Sequence, residues 1–134
     1  MQYLIGLALA AATCIFAAAV GWDRDRAFYP VLLTVIATYY ILFSVRGNST
    51  PALLAESLIA AAFAALAVAG FRTSLWLVVA ALAAHGVFDF FHHRLIHNPG
   101  VPLWWPGFCL AFDLLAAAFL ATLLLRRSRS ASRL

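Results

Sequence analysis

The chain has 134 residues, of which 66% are hydrophobic and 10% charged, with a formal net charge of +4, and its mean hydropathy is +0.97. So few charged side chains cannot clothe a water-soluble domain of this size, which excludes a soluble globular protein and points to an integral membrane protein. All the basic residues are Arg, and they punctuate apolar runs rather than forming one patch, so the charge sets topology and excludes a nucleic-acid-binding role.

A hydrocarbon core about 30 Å thick is crossed by about 20 residues at about 1.5 Å of rise each, and five runs in chain order meet that length. The first covers about residues 3–22 and ends at the charged turn Asp23-Arg24-Asp25-Arg26, where Asp23 is placed to cap the next helix. The second, 27–45, ends at RGNST, whose Gly47 and Asn48 stop the helix while Pro51 opens the third, 51–70. After FRTS the fourth covers 75–94. The segment HNPGVPLWWPG carries Pro99, Pro102 and Pro106 and reads as a connection, with Trp104 and Trp105 suited to an interfacial aromatic belt. The fifth helix covers 108–125, leaving 126–134 as a basic tail. Connections this short make neighbours antiparallel, so the expected fold is all-α, an up-down bundle of five transmembrane helices.

Ala17-Ala18-Ala19 looks like a signal-peptide cleavage site, but no Lys or Arg precedes Arg24. The basic leader region is therefore missing, and the first run reads as a retained helix. Cys14 falls near mid-membrane and Cys109 near the end of its helix, too far apart in depth for a disulfide, and both read as small apolar packers.

With the tail inside, Arg24, Arg26, Arg72, Arg126, Arg127, Arg129 and Arg133 fall on one side, and Arg46 and Arg94 on the other. That asymmetry predicts an N-terminus outside and a C-terminus in the cytoplasm, with the basic tail on anionic membrane lipid.

All the histidines lie inside HGVFDFFHHRLIH, residues 85–97. Counted from the outer helix ends, Glu56, Asp113, His92, His93, Tyr39 and Tyr40 lie at roughly 7–11 Å depth, with Asp89 one turn deeper and His85 nearest the midplane. At about 100° per residue His85, Asp89 and His92 share one arc of the fourth helix, with His93 just outside it. Small residues such as Ala80, Ala81, Ala84 and Gly86 there, and Ala60, Ala64 and Ala67 on the third helix, allow close helix approach. An ionisable group in a bilayer faces the interior and finds a partner. Glu56, alone among Ala and Leu, must find its partner across the bundle.

The residue types suit a metal site in which His85, Asp89 and His92 ligate zinc or iron, completed by Glu56, Asp113 or His93. Glu56 and Asp113 are the candidate catalytic carboxylates, either one able to take the proton from an activated water in hydrolase-like chemistry. The set is similar in kind to the His/Asp zinc sites of the seven-helix alkaline ceramidase and adiponectin-receptor superfamily, although helix count and spacing differ. His93 and His97 have a plainer reading as interfacial residues, and Tyr39 and Tyr40 as packing aromatics. Two other functions stay open. One is a proton or ion pathway along the His/Asp/Glu groups. The other is a non-catalytic subunit or amphiphile-binding protein, acting as a homo-oligomer or within a larger membrane complex.

The stretches WDRDRAFYP, HGVFDFFHH and PGFCLAFD resemble segments of small bacterial integral membrane proteins with no established activity, and the likeness runs over most of the chain. The resemblance implies a multi-pass protein of the bacterial inner membrane and carries no reaction with it.

Overall fold

In hydrocarbon no water can satisfy backbone N–H and C=O groups, so each apolar run must pair its own by forming a helix. The computed structural model, which describes residues 1–132, contains five such helices. They are α1 (Gln2–Val20), α2 (Phe28–Arg46), α3 (Thr50–Arg72), α4 (Leu75–Leu95) and α5 (Trp105–Ala131). Each is long and apolar enough to cross a membrane, and together they form the expected up-down bundle. α5 packs between α1 and α4, and α3 packs against both α4 and α2. α1 and α2, although consecutive, are linked mainly through a 3-10 turn at Trp22–Arg24.

The helix ends depart from expectation where capping chemistry acts. α1 stops at Val20 because Gly21 adopts φ +83° and turns its N–H back to the carbonyls of Ala17 and Ala18. Asp25 rather than Asp23 serves the start of α2, its Oδ1 accepting from the Ala27 N–H at 2.8 Å. At the end of α2 it is Asn48 that takes the left-handed conformation, at φ +50°, whereas Gly47 stays right-handed. Ser49 and Ser74 cap α3 and α4. Pro106 lies inside the first turn of α5 rather than in the connection, because its missing N–H would have had no helical partner there. At the other end α5 runs past residue 125 to Ala131, since Arg and Ala are good helix formers and little in RRSRSA competes. Most of the expected tail is therefore helical; Arg133 lies outside the described residues.

One end of the bundle, the arginine end, is tied together by Arg side chains serving helix-terminal carbonyls. Arg26 donates to Phe71 O at 2.6 Å and Thr73 O at 2.9 Å, and Arg127 to Asp23 O at 3.1 Å. The half of the interior next to it is filled by Ala10, Cys14, Leu33, Val78, Leu82 and Leu120. The opposite, loop end carries the 96–104 connection, whose Val101 packs with Tyr40, Phe43 and Trp105.

Between these layers lie Ser44, Glu56, His85, Asp89, His92, Asn98 and Asp113, none more than 5% exposed, while Leu4, Ile15, Leu58 and Phe90 face outward. Apolar groups outside and polar groups inside is the distribution that lipid imposes.

Candidate metal centre

The site begins with a glycine. A Cβ on Gly86 would sit 3.1 Å from Asp113 Cβ and 3.3 Å from Leu110 O, so the missing side chain is what lets α4 and α5 approach at this level. The approach puts His85 Nδ1 2.7 Å from Asp113 Oδ2. The same nitrogen is 3.4 Å from Asp89 Oδ2, one turn along α4. His85, Asp89 and Asp113 each offer a ligand atom within 4.8 Å of the others, and all are buried.

Several fully buried polar atoms in this region have no hydrogen-bond partner among the described residues: Asp89 Oδ1 and Oδ2, Asp113 Oδ1 and the Tyr40 hydroxyl. The Tyr40 hydroxyl and the Cys109 thiol are neighbours of Asp89, yet neither completes a hydrogen bond to it. Unsatisfied polar groups cost about 1–3 kcal/mol each in proteins and more in hydrocarbon. A cluster of them around two carboxylates has the donor chemistry of a cation site. Charge agrees with this. One neutral imidazole and two carboxylates around a divalent cation sum to zero, the state a low-dielectric interior tolerates best.

A second cluster lies toward the loop end. Glu56 Oε1 is 2.7 Å from His92 Nε2 and accepts from Asn98 Nδ2 at 3.0 Å. The Asn98 amide also reaches Ser44 Oγ at 2.9 Å and Tyr40 O at 3.2 Å, and its Oδ1 accepts from the Gly100 N–H at 3.2 Å. Gly100 explains why a loop residue is driven so far inward. It packs directly on the Phe43 carbonyl at the end of α2, where any Cβ would overlap the backbone.

Tyr40 connects the clusters. Its ring stacks on His92 at 4.2 Å and 24°, while its hydroxyl lies beside Asp89. Phe63 stands edge-on to His85 at 4.7 Å and 80°, walling that ring from the other side.

Of the residues expected to ligate, the structure groups His85 and Asp89 with Asp113, and turns His92 toward Glu56. The reason is axial: seven residues separate His85 from His92, a rise of about 10.5 Å, whereas zinc ligands lie about 2 Å from the ion. A shared face does not make a shared ion. His93 is exposed, its ring 5.7 Å from that of His92, and His97 is exposed too. Tyr39 is 41% exposed and packs on Trp105 at 5.4 Å, as an interface aromatic would. Tyr40 belongs instead to the site wall.

Sequence reasoning missed Asn98, Ser44 and the position of Cys109 beside Asp89. A signal existed for the first: Asn98 is one of only three carboxamides in the chain, with Gln2 and Asn48, and it directly precedes a Pro-Gly pair. Both cysteines are free and buried, as expected.

No protein-family model, curated protein or solved structure matches the chain, so the site's own chemistry carries the functional reading.

Proposed function

We propose that this is an intramembrane metalloprotein in which His85, Asp89 and Asp113 hold one zinc or iron ion, and that the centre carries hydrolase-like chemistry. The observation that supports it is the convergence of these ligand atoms from two helices within 4.8 Å of one another, in a region where other buried oxygens lack partners. Imidazole and carboxylate together suit Zn²⁺ and Fe²⁺. Three protein ligands would leave a coordination position open, as in catalytic zinc sites, and a bound cation would supply the power to acidify water and polarise a carbonyl oxygen. Asp113, from α5, and Asp89, from α4, would each ligate through one oxygen and keep another to accept a proton. Tyr40 and Cys109 border Asp89 and would orient it. Glu56 is a positioning residue in this reading, because its nearer oxygen is committed to His92 and Asn98.

Coordination would displace the proton shared by His85 Nδ1 and Asp113, so loading releases a proton and weakens as pH falls. A proton pathway has less support, since the interior toward the arginine end is packed with apolar side chains.

The test is elemental analysis of protein purified in detergent without chelator. One equivalent of zinc or iron per chain is expected, with His85→Ala and Asp113→Asn each lowering affinity roughly tenfold or more and His93→Ala leaving it unchanged. Stoichiometric metal that survives both site substitutions, or a folded wild-type protein that takes up neither ion when supplied, overturns the proposal.

A further inference from the structure

Because α1 and α2 meet mainly through the turn that joins them, a cleft of about 370 Å³ opens between α1, α2 and α5. Its walls are mostly apolar, with Leu9 from α1, Leu32, Val35 and Ile36 from α2 and Phe112 from α5, but Thr13, Cys109 and Asp113 also line it. Asp113 is wholly buried and its Oδ1 has no hydrogen-bond partner among the described residues, nor has Nε1 of Trp105, which also lines the cleft. A second cleft of about 350 Å³, apolar but for Asp25 at its arginine end, runs from Trp22 and Phe28 to the same Leu32 and Val35. The two therefore abut along α2, making an elongated groove that starts near the arginine end, passes Asp113 and ends at Trp105.

We propose that this groove binds the acyl chain of a membrane lipid and brings an uncharged oxygen of its head to Asp113. Three features select that occupant. The groove lies on the flank of the bundle, between helices each able to span a membrane, where the surrounding solvent is hydrocarbon. Between Asp25 and Asp113 its lining is apolar save for Thr13, which suits an acyl chain over a polar ligand. Finally, no Arg lines the groove to offset the charge of a phosphate or a fatty-acid carboxylate. Asp113 lies eight residues from the start of α5, about 12 Å down the helix. A lipid in the leaflet at the loop end would thus place the region just beneath its head at Asp113, with its chain running along α2 past the midplane toward Phe28.

The inference deepens the metal reading by naming the class of substrate and rests on it for what meets the lipid oxygen, but chain binding can be read out separately. The probe is a monoacylglycerol with a diazirine in its acyl chain, added to the full-length protein in lipid nanodiscs, irradiated, and mapped by mass spectrometry. Label is expected to concentrate on the groove, at Leu32, Val35, Ile36 and Phe112, several-fold above Leu58 on the outer face of α3. Filling the groove with Val35→Trp, or from the α1 wall with Leu9→Trp, should remove that excess while leaving label at Leu58 and metal content unchanged. Label spread evenly over the outward faces, or a groove excess that survives both fillings, overturns the inference. So does near-complete disulfide dimerisation of Val35→Cys in native membranes, which would assign the groove to a second copy of the chain. Groove labelling in a protein that never takes up metal would leave the chain site standing and remove only the metal reading; a metal-loaded protein with even labelling would do the reverse.

Discussion

Glu56 serves two neighbours through one oxygen: Oε1 meets His92 at 2.7 Å and Asn98 at 3.0 Å. Ordinary interhelical hydrogen bonds in membrane proteins average about 0.6 kcal/mol, but removing this carboxylate strands two buried groups at once, and breaking a buried pair costs about 3–5 kcal/mol. Glu56→Ala should therefore lower the unfolding temperature in detergent sharply, whereas Glu56→Gln, which can still accept from Asn98, should lose much less. Metal content of the glutamine variant should equal that of wild type, because Glu56 stands outside the His85 group; loss of metal would merge the two clusters into one site. Tyr40 makes the opposite case. Its hydroxyl is buried with no hydrogen-bond partner among the described residues, so Tyr40→Phe should leave the metal-free protein as stable as wild type or more so, while the ring keeps its stack on His92. With metal bound, the same variant should lose affinity if the hydroxyl steadies Asp89, and titration of both forms against zinc reads the difference. At this scale the sequence was only half legible. The 100° rule places His85, Asp89 and His92 on one arc, but the partner of each depends on which helix flanks α4 at that height, and α3 and α5 flank it on different sides.

The helices themselves were legible because lipid demands about 20 apolar residues per span and these runs have nothing else to be. Their ends were not, because ends depend on backbone geometry: a left-handed Gly21, a Pro106 tolerated in a first turn, an Asp25 nearer the Ala27 N–H than Asp23. Close packing of α4 on α5 is another feature that composition only hints at, since Gly86 is one small residue among many on α4. Its geometry makes it specific. Gly86→Ala asks Asp113 Cβ and Leu110 O, at 3.1 Å and 3.3 Å from the new Cβ, to yield by a few tenths of an ångström. Gly86→Val asks far more and must push α5 away, stretching the contact between His85 and Asp113. The alanine variant should retain most of its metal, and the valine variant should lose it together with about 1–3 kcal/mol of stability from overpacking. Equal metal binding by both would show that the helix spacing does not set the site. Gly100 tests the loop in the same way: Gly100→Ala cannot dock on Phe43 O, so Asn98 should leave Glu56. Faster hydrogen exchange confined to the 96–104 connection and the end of α2 would report it.

The molecule as a whole has a polar site displaced toward the loop end, so its orientation decides which leaflet the site samples. Arg24, Arg26, Arg72, Arg126, Arg127 and Arg129 gather at the arginine end, joined in sequence by Arg133, against Arg46 and Arg94 at the other. Moving a positive charge outward against a membrane potential costs about 2.3 kcal/mol per 100 mV, and two of these arginines, Arg26 and Arg127, also hold helix-terminal carbonyls. The arginine end should accordingly stay in the cytoplasm and the site should sit in the outer half of the membrane. In a bacterial expression host, green fluorescent protein fused after Leu134 should fluoresce, and alkaline phosphatase fused at the same place should be inactive. Replacing Arg72, Arg126, Arg127 and Arg129 with Gln cuts the asymmetry from seven against two to three against two, and should yield a mixed population in which part of the phosphatase becomes active. An active phosphatase on the unaltered chain would invert the topology and move the groove to the inner leaflet. The acyl-chain substrate would then have to come from cytoplasmic-leaflet lipid, although the geometry of His85, Asp89 and Asp113 would be the same.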